Sequence, residues 1–166
     1  MAQGQGLCEI CAMPDSAPSL TPEETHLIRT SFDAVLRRPV EAAAQFYEAL
    51  FSEAPGVRGL FHGDMRTQGQ KLIATLSLLV SRLDDLPSLE PALAELGRRH
   101  RNYRVDRDHY SLVRRALLRM LSVNSGPEWS PAAECAWGRI YDHVAATMMA
   151  AADGQLVPST SASAPV

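Results

Sequence analysis

The chain has 166 residues, carries 16 basic against 19 acidic side chains for a formal net charge of −3, and is 46% hydrophobic. This length suffices for one domain with a sizeable core and is too short for a catalytic domain plus a separate reductase or sensor module. The charge balance lacks the basic excess of a nucleic-acid binder, and no run reaches the roughly 18 apolar residues of a membrane helix, so neither partner is expected.

The opening "MAQGQGLCEICAMPDSAPSL" has no positive region followed by an apolar run, which predicts a cytoplasmic protein. Residues 1–19 and 154–166 are rich in small and polar residues and read as disordered arms, which leaves 20–153 as the domain. In the first arm, Cys8 and Cys11 form a C-x-x-C pair, but Ala12 stands where c-type haem attachment uses a histidine. No second Cys or His pair completes a zinc site, so an inert tail or a redox-labile thiol pair remains. Cys135 lies far away inside a helical pattern, which argues against a disulfide framework.

Within the domain every pattern is helical. Thr21 as N-cap, Pro22 at the first helical position and Glu24 three residues after the cap start a helix whose inward face is Leu27, Ile28, Phe32, Val35 and Leu36. Pro39 interrupts it, and "VEAAAQFYEALF" resumes with Ala43, Phe46, Tyr47 and Leu50 inward. After a turn at Pro55-Gly56, Asp64 caps a third stripe of Gln68, Leu72, Leu76, Leu79 and Leu83. A short segment after Pro87 carries Leu89, Leu93, Leu96 and His100. Asp106 caps a helix through Tyr110, Val113, Leu117 and Met120. Ser130 with Pro131 opens the last one, through Trp137, Ile140, Tyr141, Val144 and Met148.

Three polar residues fall on these inward stripes. His100 follows Leu96 by four residues and Leu93 by seven, so it points inward although Arg98, Arg99 and Arg101 flank it on other faces. Gln68 is an inward amide, whose burial costs about 1–3 kcal/mol without a partner. Tyr47 is the third. Such a trio forms either a private hydrogen-bond network or the lining of a ligand cavity.

The words and spacings resemble the globins, and within them the bacterial single-domain globins close to the haem domain of flavohaemoglobins. "FYEALFSEAPGVRGLF" is similar to their segment from the distal tyrosine to the phenylalanine that stacks on haem. "QGQKLIATL" is similar to their distal helix and "LGRRHRNYRVDRDHY" to their proximal one. The separations from Tyr47 to Phe61, Gln68 to His100 and His100 to Tyr110 also agree.

The resemblance implies an all-α globin fold packed around haem b, with His100 as the proximal iron ligand through Nε2. It puts Tyr47, Gln68 and Leu72 on the distal side, where the first two donate hydrogen bonds to dioxygen. It puts Phe61 and Val105 against the porphyrin and Tyr110 behind His100. Where flavohaemoglobins pair that tyrosine with a glutamate, alignment on the tryptophan brings Ala152, with Asp153 beside it, so the electron-donating proximal network is expected to be incomplete. One of Arg98, Arg99, Arg101 and Arg104 is a candidate for a haem carboxylate, with at least two of them solvated. His62 reads as a surface residue, and His26, His109 and His143 as ordinary helix positions.

The implied function is reversible binding of dioxygen, with carbon monoxide and nitric oxide as further gas ligands, by a monomer or homodimer. The alternative is a nitric oxide dioxygenase supplied with electrons by an external reductase. A haem-free helical bundle is the third reading, because a fold does not fix a function.

Overall fold

The structure is a computed structural model that describes residues 19–154, so the arm with Cys8 and Cys11 and most of the tail lie outside the described residues. The described residues form an all-α domain: α1 (Pro22–Leu36), α2 (Pro39–Glu53), α3 (Met65–Ser81), α4 (Glu90–Asn102), α5 (Arg107–Ser125) and α6 (Pro131–Ala152). Short 3-10 turns over Pro55–Leu60, Leu83–Leu89 and Gly126–Glu128 join them. Among the described residues no helix is long and apolar enough to cross a membrane.

Helix starts follow from capping chemistry. Thr21 and Glu24 form a reciprocal capping box, with Glu24 N–H donating to Thr21 Oγ1 at 3.1 Å and Thr21 N–H to Glu24 Oε2 at 2.8 Å. The Glu24 carboxylate also holds Arg139 of α6, which fastens the first turn to the last helix. Asp64 accepts from Thr67 N–H, Asp106 from His109 N–H and Ser130 from Ala133 N–H, each about one turn inside its helix. Pro39 does more than interrupt: it occupies the first turn of α2, where a missing N–H is harmless.

The core lies where α1, α5 and α6 meet and continues where α2 crosses α5. Ile28, Phe32 and Val35 of α1 are buried as their spacing predicts, but Leu36, in the last residue of the helix, is 42% exposed. The stripe runs out there because the chain turns at Arg37 and Arg38 into α2. Trp137 is fully buried, and its indole Nε1–H donates to Ser31 Oγ at 2.9 Å. Ser125 Oγ–H donates to the Ser31 carbonyl at 3.0 Å, so one buried serine satisfies polar groups from two other helices. Helix α3 packs on α2 and helix α4 on α6, while α3 and α4 face each other across open space.

Candidate functional site

That open space consists of two adjoining cavities of about 450 and 480 Å³. Both are lined by Phe46, Leu72, Leu96, His100, Val105 and Val113, so they form one cleft in the size range of ligand sites. One compartment extends past Tyr110 to Trp137 and Met148; the other reaches Tyr47, Phe61 and Gln68. All seven residues singled out in the sequence therefore border the same cleft: Tyr47, Phe61, Gln68, Leu72, His100, Val105 and Tyr110.

His100 stands in the last turn of α4. Its Nδ1 lies 2.8 Å from the Leu96 carbonyl oxygen. A carbonyl only accepts, so Nδ1 carries the proton and Nε2 keeps its lone pair. Burial pushes the imidazole pKa down, against the smaller opposing effect of the Leu96 hydrogen bond, and this favours the neutral ring. The Tyr110 ring stacks beside it at 6.3 Å and 30°.

The backbone holds this geometry from the far side. The His100 carbonyl accepts from Tyr103 N–H at 3.1 Å and Val105 N–H at 3.2 Å, closing α4 with Arg104 at a left-handed φ of 58°. A non-glycine residue in that region carries on the order of 1 kcal/mol of strain, which the closing hydrogen bonds offset. The turn also delivers Val105 to the cleft wall.

Opposite His100, Tyr47 sits in an aromatic nest, edge-on to Phe46 at 5.0 Å and to Phe61 at 5.4 Å. Its hydroxyl donates to the Gln68 main-chain carbonyl at 3.3 Å, and burial pushes its pKa up to about 12, so it stays a donor across the physiological range. Gln68 departs from expectation. It is half-buried rather than sealed inside, and its side-chain Nε2 donates to the His62 carbonyl at 3.0 Å. Its amide is thereby satisfied at the rim of the cleft, which removes the penalty of burying it unpaired.

On the other face, Tyr110 has its pKa raised by burial and then by the charge of Asp153. Asp153 acts through its charge alone, and its carboxylate pairs with Arg107 at 3.0 Å. The Tyr110 carbonyl accepts from the Tyr141 hydroxyl at 2.7 Å.

Of the four arginines considered, Arg99 lines the cleft. Arg98 and Arg99 share Glu95, at 2.9 and 3.0 Å, and Arg101 donates to the Ala152 carbonyl. Lys71 and His109 are polar lining residues that sequence reasoning did not place at the cleft. Lys71 follows Gln68 by three residues, which was signal enough to put it on the neighbouring rim. His109 is no ordinary helix position: its Nδ1 accepts from Asp106 N–H at 3.0 Å, and it borders both compartments. His62 is exposed, as expected.

Among the described residues no three His, Cys, Asp or Glu side chains gather as a metal site. The cleft suits a flat apolar macrocycle: aliphatic and aromatic walls, the lone-pair nitrogen of the half-buried His100, and cations at the rim. A porphyrin fits that donor set.

Comparison with known proteins agrees. The globin family model matches residues 44–148. An uncharacterized globin-like protein of Aquifex aeolicus (strain VF5) is 30% identical over 132 residues, spanning 78% of this chain and 92% of that protein. Neuroglobins of Dissostichus mawsoni and Tetraodon nigroviridis are each 29% identical over 143 residues, spanning 78% of this chain and 90% of theirs.

Proposed function

The chain belongs to the globin family, and from that premise we propose that it holds haem b between α3 and α4 and binds dioxygen reversibly. The observation that carries this reading is the His100 imidazole, fixed by Leu96 in the tautomer that offers Nε2 to the cleft. Haem, when bound, would supply the iron that binds a diatomic gas. Every other requirement falls to the protein.

His100 is the proximal ligand, and its bond to Leu96 keeps the ring from turning away. Leu72, Phe61 and Val105 exclude water from the macrocycle. Lys71 and Arg99, one on each wall at the rim, are placed to meet the haem carboxylates. On the distal side Tyr47 and Gln68 are the hydrogen-bond donors for the gas. Both bonds they make now are to carbonyl oxygens: Tyr47 must turn its single O–H from its present acceptor to serve a ligand, whereas the Gln68 amide keeps a second N–H for one while bonded to His62. A donor worth about 1 kcal/mol slows ligand release roughly five-fold.

The test is the absorption spectrum of haem-reconstituted protein before and after dithionite and carbon monoxide. A Soret band that shifts with each addition is expected; an unchanged baseline defeats the reading. Nitric oxide given to the oxygenated protein then separates a carrier, which reacts once, from a dioxygenase, which turns over with an added reductase.

A further inference from the structure

We propose that Gly97 is a positioning residue: having no side chain, it lets α4 rest on the backbone of α6 at Met148, and this contact sets how far His100 reaches into the cleft. The inference rests on the reading of His100 as the haem ligand. A Cβ on Gly97 would lie 2.1 Å from the Met148 carbonyl oxygen and 2.8 Å from its carbonyl carbon and Cα. Those atoms belong to the main chain, so no rotamer change makes room. Ordinary heavy-atom contacts are about 3.5–4.0 Å, so the helices would have to part by on the order of 1 Å.

The other tight glycines differ in what they meet. A Cβ on Gly69 meets the Ala43 side chain at 2.9 Å, and one on Gly138 meets the movable end of Arg114 at 2.5 Å. Among the described glycines, Gly97 is the one whose missing side chain faces backbone. It precedes His100 by three residues, one turn away on a neighbouring face.

Directly after His100, Arg101 Nη1 donates to the carbonyl of Ala152, the last residue of α6, at 2.7 Å. A cation at a helix C-terminus is favoured by the unpaired carbonyls there. Helix α4 is therefore seated on α6 before His100 and tied to it after His100. With the His100 carbonyl closing the next turn, the imidazole has little freedom to follow the iron or retreat from it.

The experiment uses full-length, haem-reconstituted protein: wild type, Gly97→Ala, Gly138→Ala, Arg101→Ala and Arg101→Lys. Circular dichroism checks folding, resonance Raman reads the iron–histidine stretch, and transfer to an apoglobin acceptor reads haem loss. Gly97→Ala should shift the stretch and speed haem loss about 10- to 100-fold, the usual effect of disturbing a group that orients a metal ligand. Gly138→Ala should do neither. Arg101→Ala should act in the same direction but less, and Arg101→Lys should restore most of the change. A folded Gly97→Ala with wild-type stretch and haem loss overturns the proposal, as does an equal shift in Gly138→Ala. If Gly97→Ala does not fold, an unmoved stretch in Arg101→Ala overturns it. An iron–histidine band that survives in His100→Ala defeats the ligand assignment instead, which separates the two failures.

Discussion

The two walls of the cleft are built differently. The proximal wall is held by two main-chain contacts, Gly97 on the Met148 backbone and the His100 carbonyl closing α4, beside the side-chain bond from Nδ1 to the Leu96 carbonyl. The distal wall is held by exchangeable side-chain bonds alone, Tyr47 to Gln68 and Gln68 to His62, around edge-to-face aromatic rings. Backbone contacts leave no alternative arrangement, whereas a hydroxyl or an amide can change partners with a torsion. One wall is therefore suited to fixing a ligand and the other to answering one.

The largest effect should come from the proximal wall. His100→Ala removes the imidazole that Leu96 fixes toward the cleft, and haem titration of the variant should show stable binding lost. Retention at wild-type affinity would break the comparison, since the wall would then hold the cofactor without its ligand.

Distal changes should be graded. Tyr47→Phe and Gln68→Leu should each keep haem and speed dioxygen release by roughly five-fold, read by stopped-flow, because each deletes a donor worth about 1 kcal/mol. An unchanged rate in both would mean that neither donor reaches the bound gas.

Where the distal helices meet, Gly69→Ala sets the gain in helix propensity, about 0.8–1 kcal/mol, against overpacking on the Ala43 Cβ at about 1–3 kcal/mol. A lower Tm is expected, recovered when Ala43→Gly is added. Failure of that rescue would show that the α2–α3 contact is not set by this pair.

The smallest effects should lie away from the cleft. Thr21→Ala should lower stability by about 1 kcal/mol and leave gas binding untouched. In Glu24 burial raises the carboxyl pKa, but hydrogen bonds from Thr21 and Arg139 outweigh it, and the net shift is downward. A depressed acid contributes stability that is present above its unfolded pKa and lost as pH falls through the folded one. An acid-unfolding curve should therefore lose this contribution below the ordinary Glu range, and Glu24→Gln should flatten it there.

Much of this was legible beforehand. Thr21, Asp64, Asp106 and Ser130 cap helices as their chemistry predicts, because a cap is a local matter of one side chain and a few N–H groups. Periodicity brought Tyr47, Leu72 and His100 to one cleft because helix faces repeat faithfully over a few turns. The 3-10 turns over Pro55–Leu60 and Leu83–Leu89 were not legible, since tight turns share residues with loops. Nor was the Gln68 amide turned to His62, a choice between acceptors that depends on where a loop carbonyl falls. Gly97 was invisible for the same reason: nothing local tells a glycine that spares room from one that merely weakens a helix.

Trp137 borders the cleft with its indole fully buried and hydrogen-bonded to Ser31. A fluorophore so close to a strongly absorbing guest transfers its excitation instead of emitting. With haem in the cleft as proposed, Trp137 emission would fall on filling and return as the guest departs.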